Sequence, residues 1–221
     1  MEKDLKYLVN INGVQVHVMR KFTQNYGVLF DPYMCDFNND ADTAHFTKGC
    51  SVEVSDLNLG LMDKLSKKYN TNGIVEIGVS RNGPRSFTNI ILKNKPDNIV
   101  YLGIDINDKS YLNDNSKNIY TIQANSFDHS TIREYMDKVN LKSISLLFID
   151  GDHSVNAVIN DWKYADLLSD NGVVIFHDSN YHPGPSIFLD CIDPKLFRVE
   201  KYFNDIVDDY GMAAAYRINN E

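Results

Sequence analysis

The sequence lacks the features that would place it in several large classes of protein. No apolar run approaches the roughly 18 residues that a membrane-spanning helix needs. Cysteine is scarce: Cys35, Cys50 and Cys191 are widely spaced, with no CxxC pair and no zinc-site spacing. They read as free thiols in a reducing compartment, which predicts a cytoplasmic protein without a disulfide framework. The N-terminus, MEKDLKYLVN, has mixed charge and no signal-peptide core, so it is expected to be the mature start. Basic excess is absent too. Lys and Arg total 22 against 30 Asp and Glu, a formal net charge of −8. That balance disfavours an electrostatic grip on nucleic acid or on an anionic membrane. No internal repeat, low-complexity tract or charge block marks a linker.

What is present is an ordinary globular composition, 43% hydrophobic and 24% charged over 221 residues. This is enough for one large domain, or one domain with a short extension. Residues 7–11 and 14–18 alternate around Asn12-Gly13, a hairpin signal, because a type I′ turn needs φ > 0 at both central positions. Residues from about 20 to 53 show no period, and Asn38, Asn39, Asp40 and Asp42 read as loop. Ser55 is placed to cap a helix running to about Tyr69, closed by Asn72-Gly73. A different rhythm then begins. Apolar runs at 74–77, 99–104, 118–122, 144–149 and 173–176 alternate with helical patterns near 84–94, 128–139 and 154–168, the last ended by Asn171-Gly172. Continuous apolar strands between amphipathic helices predict a parallel sheet covered on both faces. Residues 196–203 and 212–218 add a late antiparallel hairpin around an acidic turn at 205–209. The predicted fold is therefore α/β: a seven-stranded, doubly wound, mostly parallel sheet over 55–221, with a hairpin and loop extension over 1–54.

In such sheets ligands bind beyond the carboxyl ends of the strands. After the first strand, Glu76 precedes Gly78, Gly83 and Ser86; the two glycines let the backbone turn and approach a ligand closely. Alone, this reads equally as a plain strand–helix turn. Asp105 ends the second strand, where a carboxylate accepts from a ribose diol or caps a turn. The three glycines of G-x-G-x-x-G are missing, which ranks a nicotinamide dinucleotide low. Asn125 and Ser126 follow the third strand and offer neutral groups to an adenine edge, while Asp128 or Ser130 reads as a helix cap. The fourth and fifth strands deliver Asp150, Asp152, His153, His177 and Asp178 to the same edge. Singly, each reads as a cap or turn. Together, such groups hold an octahedral divalent ion or provide a general base, because burying like charges side by side is costly without compensation.

At these residues the sequence resembles class I S-adenosylmethionine-dependent methyltransferases of the Methyltransf_24 type, similar to macrolide sugar O-methyltransferases and cephalosporin-cluster methyltransferases. The resemblance runs over residues 73–218 and rests on VEIG, GID, and above all FIDGDHS and VIFHD. It implies a Rossmann-like fold with S-adenosylmethionine as cofactor. Glu76, Gly78, Gly83 and Ser86 would surround the methionine moiety, Asp105 the ribose, and Asn125 and Ser126 the adenine. Asp150 would serve both cofactor and metal, Mg²⁺ or another divalent cation, together with His177 and Asp178. His177 stands where metal-dependent relatives have a carboxylate. Pro84-Arg85 separates Gly83 from Ser86, where many relatives join serine to the glycines. His153 matches the proposed general base. The implied reaction is in-line methyl transfer to a small-molecule hydroxyl. Its rivals are a metal-independent enzyme using His153 and His177 alone, and a non-catalytic cofactor-binding scaffold. Tyr26, Phe30, Tyr33, Phe46 and Tyr181 line an acceptor pocket or belong to the core. Residues 1–54 form a lid or a homo-oligomer contact.

Overall fold

The computed structural model describes the backbone of residues 5–11, 14–21 and 31–34, and residues 54–79, 85–180, 182–204, 206 and 209–218. The N-terminal alternation forms the expected hairpin: β1 (Leu5–Ile11) pairs antiparallel with β2 (Val14–Lys21), and Ile11 faces Val14 across a two-residue connection. A third strand, β3 (Asp31–Met34), joins β2. The sequence shows no period across this stretch. A four-residue run containing Pro32 is too short to show alternation, and proline is tolerated only at a sheet edge, where β3 lies. Tyr26, Phe30, Phe46, Tyr181, Cys35 and Cys50, and the side chain of Tyr33, fall outside the described residues.

Helix α1 (Asp56–Lys68) starts as predicted, with Ser55 Oγ accepting from the Asn58 N–H at 3.2 Å. The main sheet follows: β4 (Gly73–Ile77), α2 (Phe87–Asn94), β5 (Tyr101–Asp105), β6 (Ile119–Gln123), α3 (His129–Lys138), β7 (Ile144–Ile149), α4 (Val155–Trp162), β8 (Leu168–His177), α5 (Pro183–Leu189), β9 (Phe197–Tyr202) and β10 (Met212–Arg217). Its seven strands run in the order β6-β5-β4-β7-β8-β10-β9. The first five are parallel, and β10 enters antiparallel between β8 and β9.

Period-two alternation divides the strands between two cores. On one face Ile74, Leu146, Phe148 and Ile175 meet Met62 and Leu65 of α1 and Phe87 and Ile91 of α2. On the other, Val75, Ile77, Leu147, Ile149 and Phe176 meet Ile132 and Met136 of α3, Val158 and Trp162 of α4, and Phe188 of α5. Strand β7 is buried along its entire length, which is why it reads as an unbroken apolar run.

Two local expectations are corrected, and one helix is added. Asn171-Gly172 lies inside β8, where the register slips between the Ile144–Leu168 and Leu146–Val173 pairs; an irregular strand start imitates a turn. Helix α4 stops at Trp162 and tightens into a 3₁₀ segment, Lys163–Leu167. Helix α5 was not foreseen, because Pro183-Gly184-Pro185 reads as loop, although proline is favoured in a first helical turn. Part of the acidic turn, at 205, 207 and 208, falls outside the described residues. Asp209 itself is buried and accepts from Ser55 Oγ at 2.7 Å, Asn58 Nδ2 at 3.0 Å and the Gly211 N–H at 2.7 Å, tying the start of α1 to the last hairpin. Among the described residues no helix is long and apolar enough to cross a membrane.

Candidate active site

The strand order reverses between β4 and β7, and this switch point splays the strand ends apart. A cavity of about 540 Å³ opens there, lined by residues that include Gly78, Asp105, Asn125, Ser126 and Asp150. That volume suits a small cofactor. Five of the predicted cofactor residues are thus brought together by four different strand ends.

Gly78 is held at φ +82, and a Cβ there would lie 2.0 Å from the Asp150 backbone oxygen. The Gly78 N–H donates to Ile104 O at 3.0 Å, and the Asp150 N–H to Ile77 O at 2.9 Å. Its glycine therefore lets the loops after β4 and β7 close against each other to form the cavity wall. Asp105 accepts from the Val79 N–H at 3.0 Å and the Asn107 N–H at 2.7 Å. Lys109 Nζ lies 3.5 Å from Asp105 and donates to Val79 O at 2.9 Å. Sequence reasoning missed Lys109, which reaches the cavity only because the chain doubles back after β5. It also missed Ile106 and Phe127, 69% and 51% exposed at the cavity rim, where apolar side chains suit a flat ring.

Two predicted cofactor residues do not reach the lining. Glu76 is fully buried; it accepts from Thr88 Oγ1 at 2.7 Å and from the Tyr101 hydroxyl at 2.5 Å, joining β4 to α2 and β5. Burial, and then the Glu76 charge, push the Tyr101 hydroxyl well above its ordinary range. Ser86 caps α2, accepting from the Asn89 N–H at 3.1 Å. Gly83 lies outside the described residues.

Beside the cavity the fourth and fifth strand ends assemble the predicted cluster. His177 Nδ1 lies 3.0 Å from Asp150 Oδ1 and 3.2 Å from Asp178 Oδ1. Its ring is fixed edge-on to Phe87, with centroids 4.8 Å apart. Asp178 has φ 59, which turns the chain back over the cluster. His153 Nε2 is 2.8 Å from Asp178 Oδ2, an ion-pair contact outside hydrogen-bond alignment. Burial pulls both imidazoles down, but the two carboxylates outweigh it, raising His153 to about 9 and His177 to about 10. Burial pushes Asp178 up, but the two imidazoles override it and hold the carboxyl far below its usual range. His182, absent from the predicted site, stacks on His153 at 4.1 Å and 24°. It arrives through the Asp178 turn, and its position just before Pro183 is the only trace in the sequence.

Asp161, on α4, is 1% exposed. Its Oδ2 lies under Gly151, 3.6 Å from where a Cβ would stand. Burial pushes the carboxyl up to about 7, partly offset by the Ser126 and Asn160 side chains. With the folded value above the unfolded 3.8, its share of stability is intact below about pH 4 and is lost as pH rises through 7. The loss is on the order of 4 kcal/mol. Asp161→Asn should flatten this slope, so that urea unfolding finds the variant more stable than the native chain at pH 8 but not at pH 4.5. Parallel slopes in the two proteins would reject the assignment.

Residues 75–179 match the family model described as "Methyltransferase domain". Comparison with curated proteins gives no match. Among solved structures, the MycE methyltransferase of the mycinamycin biosynthetic pathway, in complex with Mg, SAH and mycinamycin VI, is similar at 16% identity and TM-score 0.53, over 73% of this chain and 50% of that one. This chain thus spans about half the length of MycE. A methyltransferase from Geobacter sulfurreducens aligns at 14% identity and TM-score 0.52, over 76% and 82% of the two chains. A candidate rRNA methylase from Clostridium thermocellum aligns at 17% and TM-score 0.54, over 76% and 100%. At these identities the likeness is one of fold. It agrees with the Rossmann-like sheet, and the match to the methyltransferase-domain family model lies along β4 to β8, just under half of the chain.

Proposed function

We propose that the protein is an S-adenosylmethionine-dependent methyltransferase acting on a hydroxyl of a small molecule, with His153 as general base and a divalent cation at Asp150 and Asp178. One observation carries this reading: Asp150 belongs both to the wall of the 540 Å³ cavity and to the His/Asp cluster, so methyl donor and proton acceptor would sit wall to wall.

The cofactor supplies a sulfonium-activated methyl group, which leaves alignment and deprotonation to the protein. Asp105 offers the acceptor lone pairs a ribose diol needs, and Ile106 and Phe127 offer apolar cover to adenine. A hydroxyl is a poor nucleophile at neutral pH. His153, with a side chain 26% exposed against 7% for His177, is the more accessible of those two imidazoles and takes the proton. Asp178 and the stacked His182 fix its ring. The donors suit a divalent cation in spacing: ligands at adjacent corners of an octahedron with bonds of about 2.1 Å stand about 3.0 Å apart, and the observed separations are 3.0 and 3.2 Å. When bound, the cation lowers the pKa of the acceptor hydroxyl and offsets the carboxylates that hold His153 protonated. β3 lies against α4 and α5, which begin beside the cluster, and this supports residues 1–54 as a cover over the acceptor side.

The test is transfer of labelled methyl from S-adenosylmethionine to a panel of small hydroxyl compounds, with and without chelator. Transfer abolished by chelation is expected. Chelator-insensitive transfer would assign the chemistry to His153 and His177 alone, and cofactor binding without transfer to any acceptor would favour the scaffold. Asp105→Ala should weaken cofactor binding by about 10–100-fold, the loss of charge-assisted hydrogen bonds; unaltered affinity would place the ribose elsewhere.

A further inference from the structure

The cluster offers two sets of metal donors among the described residues, Asp150/His177/Asp178 and His153/Asp178/His182, and neither is all oxygen. Mg²⁺ seeks an oxygen shell and holds its waters, whereas imidazole nitrogen favours Fe²⁺, Co²⁺ and Zn²⁺. Geometry separates the two sets. In the second, the His153 and His182 rings are stacked at 4.1 Å and 24°. Lone pairs lie in the ring planes, so two nearly parallel planes that far apart do not converge on one ion about 2.1 Å from each nitrogen. In the first, a single nitrogen, His177 Nδ1, lies 3.0 Å from Asp150 Oδ1, a hydrogen-bond contact, and 3.2 Å from Asp178 Oδ1, so an ion seated between them takes the place of the proton on that nitrogen. That imidazole is 7% exposed and held edge-on by Phe87, so it cannot swing away to leave the carboxylates to the ion alone.

We propose that the cation site selects a nitrogen-preferring transition ion of the Fe²⁺, Co²⁺ or Zn²⁺ class over Mg²⁺, with His177 Nδ1 as its nitrogen ligand. This rests on the cation-assisted reading above and specifies the ion. It leaves His153, which is not a member of that donor set, available as the base.

The experiment titrates the purified 221-residue chain with Co²⁺ and with Mg²⁺ by calorimetry, in parallel with His177→Glu, which exchanges the nitrogen for oxygen. Co²⁺ should bind the native chain at least about 100-fold more tightly than Mg²⁺, and His177→Glu should shrink that ratio by about tenfold or more. Proton NMR of the Co²⁺-loaded native protein should show a hyperfine-shifted, exchangeable imidazole N–H resonance that is missing in the variant. An unchanged ratio in His177→Glu, Mg²⁺ within tenfold of Co²⁺ in the native chain, or no shifted imidazole resonance would each overturn the proposal. The resonance is read on the native protein, so the test survives a variant that does not fold. S-adenosylmethionine titrated into the same native sample reads the functional assignment separately. Cofactor binding without ion selection overturns only the ion; ion selection without cofactor binding overturns only the methyltransferase.

Discussion

His153→Ala is expected to lower turnover by roughly 10²–10⁴-fold, the range for losing a general base, while leaving cofactor affinity nearly unchanged. The asymmetry follows from position. His153 belongs to the cluster and does not line the cavity, whereas Asp150 belongs to both. Of the two imidazoles set against the carboxylates, His177 is enclosed by Asp150, Asp178 and Phe87, while His153 keeps a quarter of its side chain open, at 26%. Its partner Asp178 orients the ring without taking a well-aligned hydrogen bond from Nε2. Steady-state kinetics at saturating cofactor, together with a direct binding titration, separate the two effects. Unchanged turnover would remove His153 from the proton transfer, and equal losses in binding and turnover would make its role structural.

Gly78→Ala is expected to destabilise the fold by about 3 kcal/mol or more and to abolish cofactor binding. Two costs add at this position. The φ of +82 disfavours any L side chain, and the new Cβ would sit 2.0 Å from Asp150 O and 2.5 Å from its carbonyl carbon. Both neighbours are backbone, so no rotamer change relieves the contact. Pushing the β7 loop aside would displace Asp150 from both the cavity and the cluster. Gly60→Ala is the internal control: nothing lies within 4 Å of its added Cβ, and a mid-helix exchange of this kind should stabilise by about 0.5–1 kcal/mol. Thermal unfolding of both variants checks the contrast. A Gly78→Ala protein as stable as the native chain would mean that the two loops do not close on each other in solution.

The sequence was most legible where local rules and burial agree. Ser55 at the start of α1, the unbroken apolar run of β7 and the polar residues just past β5, β7 and β8 each carry a signal readable within a few positions. β3 and α5 were not legible, because four residues with a proline and seven residues opening on Pro-Gly-Pro are shorter than any period they could display. His182, Lys109 and Asp161 were hidden for a different reason. Each acts through a partner distant in sequence or past a chain reversal: His182 through the left-handed turn at Asp178, Lys109 through the return to Val79, Asp161 through the packing of α4 under Gly151. Glu76 shows the converse. Its motif position is plain, but only tertiary structure turns its carboxylate toward Thr88 and Tyr101 and away from the cavity lining.

We read the cavity at the switch point as the S-adenosylmethionine site, and calorimetric titration of the purified chain with that cofactor tests this assignment. Saturable micromolar binding at one site is expected, weakened in Asp105→Ala. No heat of binding with or without divalent cation, from a protein that unfolds cooperatively, would contradict it.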